Sequence, residues 1–229
     1  MTQDDLKRAA AEAAVALVSS GMVVGLGTGS TAAFAIEALI RRVREEGLEI
    51  LGIPTSKRSA VQAQAGGIRL TDFEAHHRVD LTIDGADEIA TGSLDLVKGL
   101  GGALLREKIV AAASDRLVII ADGSKLVEHL GGTARIPVEV VTFGWQTTQD
   151  RIARIGGHPV LRRGKDGTPF HTDGGNLILD CAFGERPDAQ AIERALSETI
   201  GVVETGLFIG MATTALVASA EGVRRLDRV

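Results

Sequence analysis

The sequence has no tyrosine, one tryptophan and six phenylalanines, so aromatic residues make up 3% of its 229 positions. A platform that stacks single-stranded nucleic acid needs aromatic faces, and too few are available. The net charge of −5 removes a second route to nucleic acid, a broad basic surface along the phosphate backbone. Cysteine occurs once, as Cys181 in the apolar stretch "NLILDCAF". One thiol closes no internal disulfide and founds no structural zinc cluster, so a buried, inert side chain is expected. Long apolar runs are missing as well. None approaches the ~20 residues of a membrane span, and "MTQDDLKRAA" lacks the apolar core of a signal peptide. These absences together predict a cytoplasmic protein with no membrane or nucleic-acid partner.

What is present is an ordinary globular balance, 45% apolar and 24% charged, with 28 glycines that fall mainly between elements. The first half alternates helix and strand. Asp4 or Asp5 is placed to cap a helix running through Ser19 and stopped by Gly21. A strand "MVVGL" follows, then a glycine loop, then a helix over 30–45 with Ser30 or Thr31 as its cap. Strands are predicted at 48–53, 78–84 and 116–122, with helices at "SKRSAVQAQAGG" and over 101–114. That alternation implies a Rossmann-like α/β fold, a mostly parallel sheet with helices on both faces.

The pattern changes near "GGTARIP" (131–137). Beyond it the order reads strand 138–142, helix 147–155, strand 158–163, strand 176–182, helix 188–200 with Pro187 at its first position, and strand 202–208. This β-α-β-β-α-β order predicts a smaller ferredoxin-like α+β domain over 131–205. Residues 1–130 and 206–229 then form the main catalytic domain, with the tail adding one or two strands.

Four strand ends carry chemistry. "GLGTGSTA" (25–32) joins a strand to a helix, which makes an anion site from backbone N–H groups and the helix terminus. Gly27 to Ala32 fit the G-x-G-x-x-A dinucleotide pattern, but the acid expected about twenty residues on, at the end of the next strand, is absent. That strand runs into "PTSKRS" instead, where Lys57 and Arg58 suit a 2′-phosphate and keep an NADP reading open. "DGADE" (84–88) brings Asp84 and Asp87 to a second strand end, "KGLGG" (98–102) brings Lys98, and "ADGSK" (121–125) brings Lys125. Taken singly, each is an ordinary turn, and the helical "REK" that holds Glu107 resembles a solvated face. Gathered at one sheet edge, they supply amides, two carboxylates, two lysines and a glutamate. That set suits acid–base chemistry on a small phosphorylated molecule, and it contains neither a Ser-His-Asp set nor a metal-ligand cluster.

In order, "GLGTGSTA", "DGADEI", "KGLGGALLREKIVA", "ADGSK" and "GVVETGLFIGMA" resemble ribose-5-phosphate isomerase type A over nearly the whole chain. The resemblance implies interconversion of D-ribose 5-phosphate and D-ribulose 5-phosphate without a cofactor or metal, in a homodimer or homotetramer. It implies Glu107 as general base, Lys98 as a stabiliser of the enediolate, and Asp84 or Asp87 as the group that helps open the sugar ring. Thr28, Gly29, Ser30, Thr31, Asp84, Gly85, Ala86, Asp87, Lys98, Gly99, Leu100, Gly101 and Lys125 are then expected to bind substrate, with Lys7 as a further phosphate contact. Leu100 stands where the family's loop carries another glycine. Two alternatives accompany this expectation: an NADP-dependent oxidoreductase, and a sugar-phosphate-sensing module without catalysis.

Overall fold

The computed structural model describes residues 1–184 and 188–228. In chain order the first half contains α1 (Gln3–Val15), β1 (Val23–Leu26), α2 (Ser30–Glu45), β2 (Leu51–Pro54), α3 (Lys57–Gly66), β3 (Arg69–Leu70), β4 (Leu81–Gly85), β5 (Glu88–Ala90), β6 (Leu96–Val97), α4 (Leu104–Ala112) and β7 (Leu117–Asp122). A 3-10 turn at Gly123–Lys125 leads into β8 (Leu126–Val127). The second half holds β9 (Ile136–Val140), α5 (Trp145–Arg154), β10 (His158–Leu161), β11 (Leu177–Ala182), α6 (Ala189–Ser197), β12 (Val202–Thr205), β13 (Leu207–Phe208), β14 (Thr214–Ser219) and β15 (Gly222–Asp227).

Among the described residues these strands form three sheets. The largest runs β15-β14-β7-β4-β1-β2-β3 and is parallel except for the β14–β15 hairpin. Its central strands are buried on both faces, as the apolar runs "VVGL" and "LVIIAD" require. One face packs on α1, α2 and α3 through Ala10, Ala14, Ile36, Leu39 and Ala63. Over the other lie α4, through Val110 and Ala111, and a small sheet whose Phe208, Leu96 and Ile89 complete the layer. So a helix and a sheet, rather than helices alone, cover that face.

The second sheet has the order β10-β11-β9-β12, with every neighbouring pair antiparallel. This is the strand order of a ferredoxin-like β-α-β-β-α-β unit, and Cys181 sits in its core. Burial pushes that thiol up to about 12, which keeps it inert.

Several local expectations need correction. Thr2, not Asp4 or Asp5, caps α1. Its hydroxyl accepts from the Asp5 N–H while the Asp5 carboxylate accepts from the Thr2 N–H, a reciprocal box, and the helix ends at Val15. Helix α2 begins after Gly29 with no side-chain cap, so neither Ser30 nor Thr31 plays that part. Asp188 caps α6, and Pro187 lies outside the described residues. The strand expected over 202–208 is two strands in different sheets. They part at Gly206, whose N–H donates to the Pro137 carbonyl and whose carbonyl accepts from the Lys98 N–H.

The third sheet, β13-β6-β5-β8, was not foreseen. Its strands are two or three residues long, too short to show a period of two. It matters because β6 leads directly into Lys98. The "KGLGG" loop therefore enters the site from this small sheet, not from a strand of the main one.

Among the described residues no helix is long and apolar enough to cross a membrane, and no three His, Cys, Asp or Glu side chains are grouped to hold a metal ion.

Candidate active site

In the large sheet the chain passes from β1 to β2 on one side and later to β4 on the other. The crevice beyond the carboxyl ends of β1 and β4 is thus a topological switch point, where open α/β sheets bind ligands. A cavity of about 290 Å³ opens there, small on the ~300–1,000 Å³ scale of ligand sites. Its wall is Gln3, Lys7, Thr28, Gly29, Ser30, Thr31, Gly85, Ala86, Asp87, Lys98, Gly99, Gly101, Glu107 and Lys125. Four segments separated in sequence converge as expected.

Glu107 reaches the cavity because it lies on the buried stripe of α4, with Leu104, Val110 and Ala111. The three members of "REK" diverge. Arg106 stays half-exposed near Asp173, Glu107 turns inward at 4% exposure, and Lys108 pairs with Glu204 of β12 at 2.6 Å. The expected solvated face is therefore only Arg106.

On the cavity wall Lys98 is 2% exposed. Its Nζ lies 3.0 Å from Asp84 Oδ2 and 3.1 Å from Glu107 Oε1, and it donates to the Gly85 carbonyl at 2.5 Å. Three donors thus meet three acceptors, so the ammonium contributes charge rather than a free N–H. Burial pulls the Lys98 ammonium down, but Asp84 and then Glu107 outweigh it and hold it above its ordinary value. Glu107 moves the other way. Burial raises its carboxyl, Lys98 lowers it, Asp84 raises it again, and the balance pushes it up to about 8. Glu107 Oε2 is buried and has no hydrogen-bond partner among the described residues.

The two aspartates of "DGADE" separate. Asp84 is 1% exposed and lies behind the wall. Its Oδ1 accepts the N–H groups of Thr28 and Gly85 while Oδ2 faces Lys98. A Cβ at Gly27 would sit 2.3 Å from this carboxylate, which explains glycine there. Asp87 lines the cavity, with Oδ2 accepting the Leu100 N–H at 2.9 Å. Leu100 itself is not part of the wall, because its side chain is half-exposed and its N–H is turned to Asp87. Asp84 and Leu100, both expected to touch substrate, lie outside the wall and support residues that line it. Glu88 of the same motif accepts the N–H groups of Gly131, Thr133 and Ala134, and so fixes the loop that enters the second sheet.

At the opposite end of the cavity, Gly29 at φ +114° turns the chain into the uncapped N-terminus of α2. Gly29, Ser30 and Thr31 line the cavity there, with Lys7 and Lys125 close by. Partial positive charge at the helix end and two ammonium groups make an anion site. Thr28 departs from expectation. Its hydroxyl points away into a buried set with Thr55, Ser56 and Ser59, at 2.7, 2.8 and 3.1 Å. Those three hydroxyls lie in "PTSKRS" and were missed; their crowding within five residues was the available signal. Lys57 and Arg58 of that segment, the basis of the NADP reading, are not in the wall, and the Lys57 N–H is taken by Asp173. Gln3 was also missed, because a lone amide in a surface helix carries no pattern.

The sequence model of the ribose 5-phosphate isomerase A (phosphoriboisomerase A) family matches residues 51–222. Ribose-5-phosphate isomerase A of Synechococcus is 56% identical over 223 residues, which is 97% of each chain. The solved structure of ribose 5-phosphate isomerase A from Methanocaldococcus jannaschii is 40% identical, with a TM-score of 0.95 over 99% of this chain and 100% of that one. A D-ribose-5-phosphate isomerase solved in complex with phospho-erythronic acid is 33% identical, with a TM-score of 0.95 over the full length of both chains.

Proposed function

The chain belongs to the ribose 5-phosphate isomerase A family, and from that premise we propose how its residues divide the work. It interconverts D-ribose 5-phosphate and D-ribulose 5-phosphate, moving a proton between C2 and C1 through an enediolate. The oxidoreductase and sensing alternatives gain no support from these relatives.

Glu107 is the base. The carrying observation is that Glu107 lines the cavity while its Oε2, buried, has no hydrogen-bond partner among the described residues, on a carboxyl whose value of about 8 lies near neutral pH. In the ionised form it takes the C2 proton and returns it to C1 on the same face of the sugar. Lys98 acts through its fixed positive charge, which favours both the Glu107 carboxylate and the enediolate. Hydrogen bonds to the enediolate come from the N–H groups of the glycine loop, Gly99 and Gly101, which line the cavity.

Ring opening falls to Asp87. Its carboxylate faces the cavity, whereas Asp84 is committed to Lys98 and two backbone N–H groups. The phosphate is held at the N-terminus of α2 by Gly29, Ser30 and Thr31 with Lys7 and Lys125. The phospho-erythronic acid of the solved relative fits this division. Its carboxylate matches the developing charge near Glu107 and Lys98, and its phosphate matches the α2 end. A homo-oligomer is part of the same reading, supported by Phe143 and Ile200, which are 93% and 75% exposed. They flank the Val141–Gly201 backbone bond at one end of the second sheet. Light scattering decides it, and a monomer at micromolar concentration would refute it.

The test is isomerisation in heavy water. Parent enzyme places solvent deuterium on the transferred position; Glu107→Gln does neither exchange nor turnover while still binding substrate. Exchange at the parental rate in that variant would remove Glu107 from the mechanism.

A further inference from the structure

Arg162 follows β10 directly and is absent from the cavity wall, yet it holds the loop that carries Lys98. Asp180 of β11 pins its guanidinium at two points, Nε to Oδ2 at 2.9 Å and Nη2 to Oδ1. The remaining nitrogen, Nη1, donates to the Gly99 carbonyl at 2.8 Å and the Leu100 carbonyl at 3.1 Å. The Phe170 ring lies 5.9 Å from the guanidinium carbon, and a Cβ at Gly102 would meet that same ring at 2.4 Å. Two side chains of the second sheet's segment therefore grip both ends of the glycine loop.

Peptide planarity converts that grip into orientation. In a trans peptide the carbonyl and the following N–H point in opposite directions, and the described chain has no cis bond. With the Gly99 carbonyl on Arg162, the Leu100 N–H is aimed away from it and meets Asp87 Oδ2 at 2.9 Å. With the Leu100 carbonyl on the same nitrogen, the Gly101 N–H is aimed to the side where Gly101 lines the cavity.

We propose that Arg162 is a positioning residue for the isomerisation: by holding two successive carbonyls it sets one N–H on Asp87 and the next toward the sugar. This rests on the roles given above to Asp87 and the glycine loop. A planar fork, itself locked by a carboxylate, can fix two peptide planes at once; a lysine, with a flexible stem and a point charge, cannot. The Leu100 side chain is half-exposed, with its N–H on Asp87 and its carbonyl on Arg162.

Arg162→Met, Arg162→Lys and Asp180→Asn are assayed with ribose 5-phosphate beside the parent. Arg163→Gln serves as a control, since among the described residues that guanidinium hydrogen-bonds only the Gly167 carbonyl of the outer turn. Misplacing a catalytic group by about 1 Å can cost ~100-fold, so kcat is expected to fall by about that factor in Arg162→Met. Arg162→Lys and Asp180→Asn are expected to lose about 10-fold. KM stays within about threefold of the parent, and Arg163→Gln is unchanged. Rates are normalised to the folded fraction read by circular dichroism, which a purely structural role would restore to the parental value. Restoration of that kind, or a loss confined to KM, overturns the proposal. Where Arg162→Met does not fold, Arg162→Lys and Asp180→Asn decide by the same split. An inactive parent would instead refute the isomerase reading, and a fully active Asp87→Asn would refute the assignment on which this proposal stands.

Discussion

Lys98 and Glu107 face each other at 3.1 Å on the cavity wall, and only one of the two Glu107 oxygens is used in that contact. The pairing keeps a base ionisable where burial alone would leave it protonated. The free oxygen remains available for a proton on carbon. In Glu107→Gln the geometry persists and the base is lost. A general base contributes roughly 10²–10⁴-fold, so kcat is expected to drop at least 100-fold with KM nearly unchanged. A coupled assay for ribulose 5-phosphate reads this directly, and a loss under tenfold would place the base elsewhere.

The same carboxyl sets the pH dependence. With Glu107 pushed up to about 8, the active ionised form is the minority at neutral pH. Hence kcat/KM is expected to rise by nearly tenfold per unit between about pH 6.5 and 7.5 and to level above about 8. A profile flat from pH 6.5 to 9 would contradict this.

Stability runs opposite to activity. The folded carboxyl binds its proton up to about pH 8, whereas the unfolded one releases it near its ordinary value of about 4.3. Between those limits the folded state holds more protons, so stability falls as pH rises. Glutamine carries no such charge. Glu107→Gln is therefore expected to melt close to the parent at pH 5 and above it at pH 8.5. Thermal melts at the two values test this, and an equal difference at both would show that Glu107 is not strained by ionisation.

Much of this site could be read before the fold was known, and the reason is physical. Glycine, Asp-Gly and Lys at strand ends are local signals, so the loops of Gly29, Asp84 and Lys125 were legible. The parallel order of the main sheet follows from alternating helices and apolar runs, and the β-α-β-β-α-β unit from its element order. What was not legible depends on distant partners. Asp84 and Asp87 sit three residues apart, and only the fold shows that one underlies Lys98 while the other faces the cavity. The third sheet is held by tertiary pairing of fragments such as Leu96–Val97 and Leu207–Phe208, which carry no periodicity. Arg162 lies 63 positions from Gly99 and announces nothing in its neighbourhood.

Removal of Lys98 tests the charge balance. Lys98→Met leaves Asp84 and Glu107 as buried acids with no cation between them. Breaking a buried pair in this way typically costs about 3–5 kcal/mol, and inactivity is expected as well. Adding Asp84→Asn to Lys98→Met is expected to recover much of the stability and none of the activity. Urea unfolding of the single and double variants measures the recovery; additive losses would mean that Lys98 and Asp84 do not stabilise one another.

Thr28 and Lys125 both line the cavity, yet their substitutions are expected to separate cleanly. The Thr28 hydroxyl is turned to Thr55, Ser56 and Ser59, so Thr28→Val removes a partner from three buried hydroxyls and leaves the cavity surface nearly the same shape. Each of the three keeps another partner, the Leu26 carbonyl for Thr55, the Gly27 carbonyl for Ser59 and Ser59 for Ser56, so the loss is that of hydrogen bonds worth about 0.5–1.5 kcal/mol each, and a lowered melting temperature with KM within about twofold is the expected signature. Lys125→Ala removes a cation beside the α2 terminus without disturbing a buried network. Its expected signature is the reverse: unchanged melting and a kcat/KM at least tenfold lower, in keeping with a charge-assisted contact worth roughly 1.5–3 kcal/mol. Steady-state kinetics and thermal melts on the two variants suffice. A rise in KM for Thr28→Val comparable to that of Lys125→Ala would mean that the Thr28 hydroxyl turns to the sugar on binding, and that the buried set around it is rearranged by substrate.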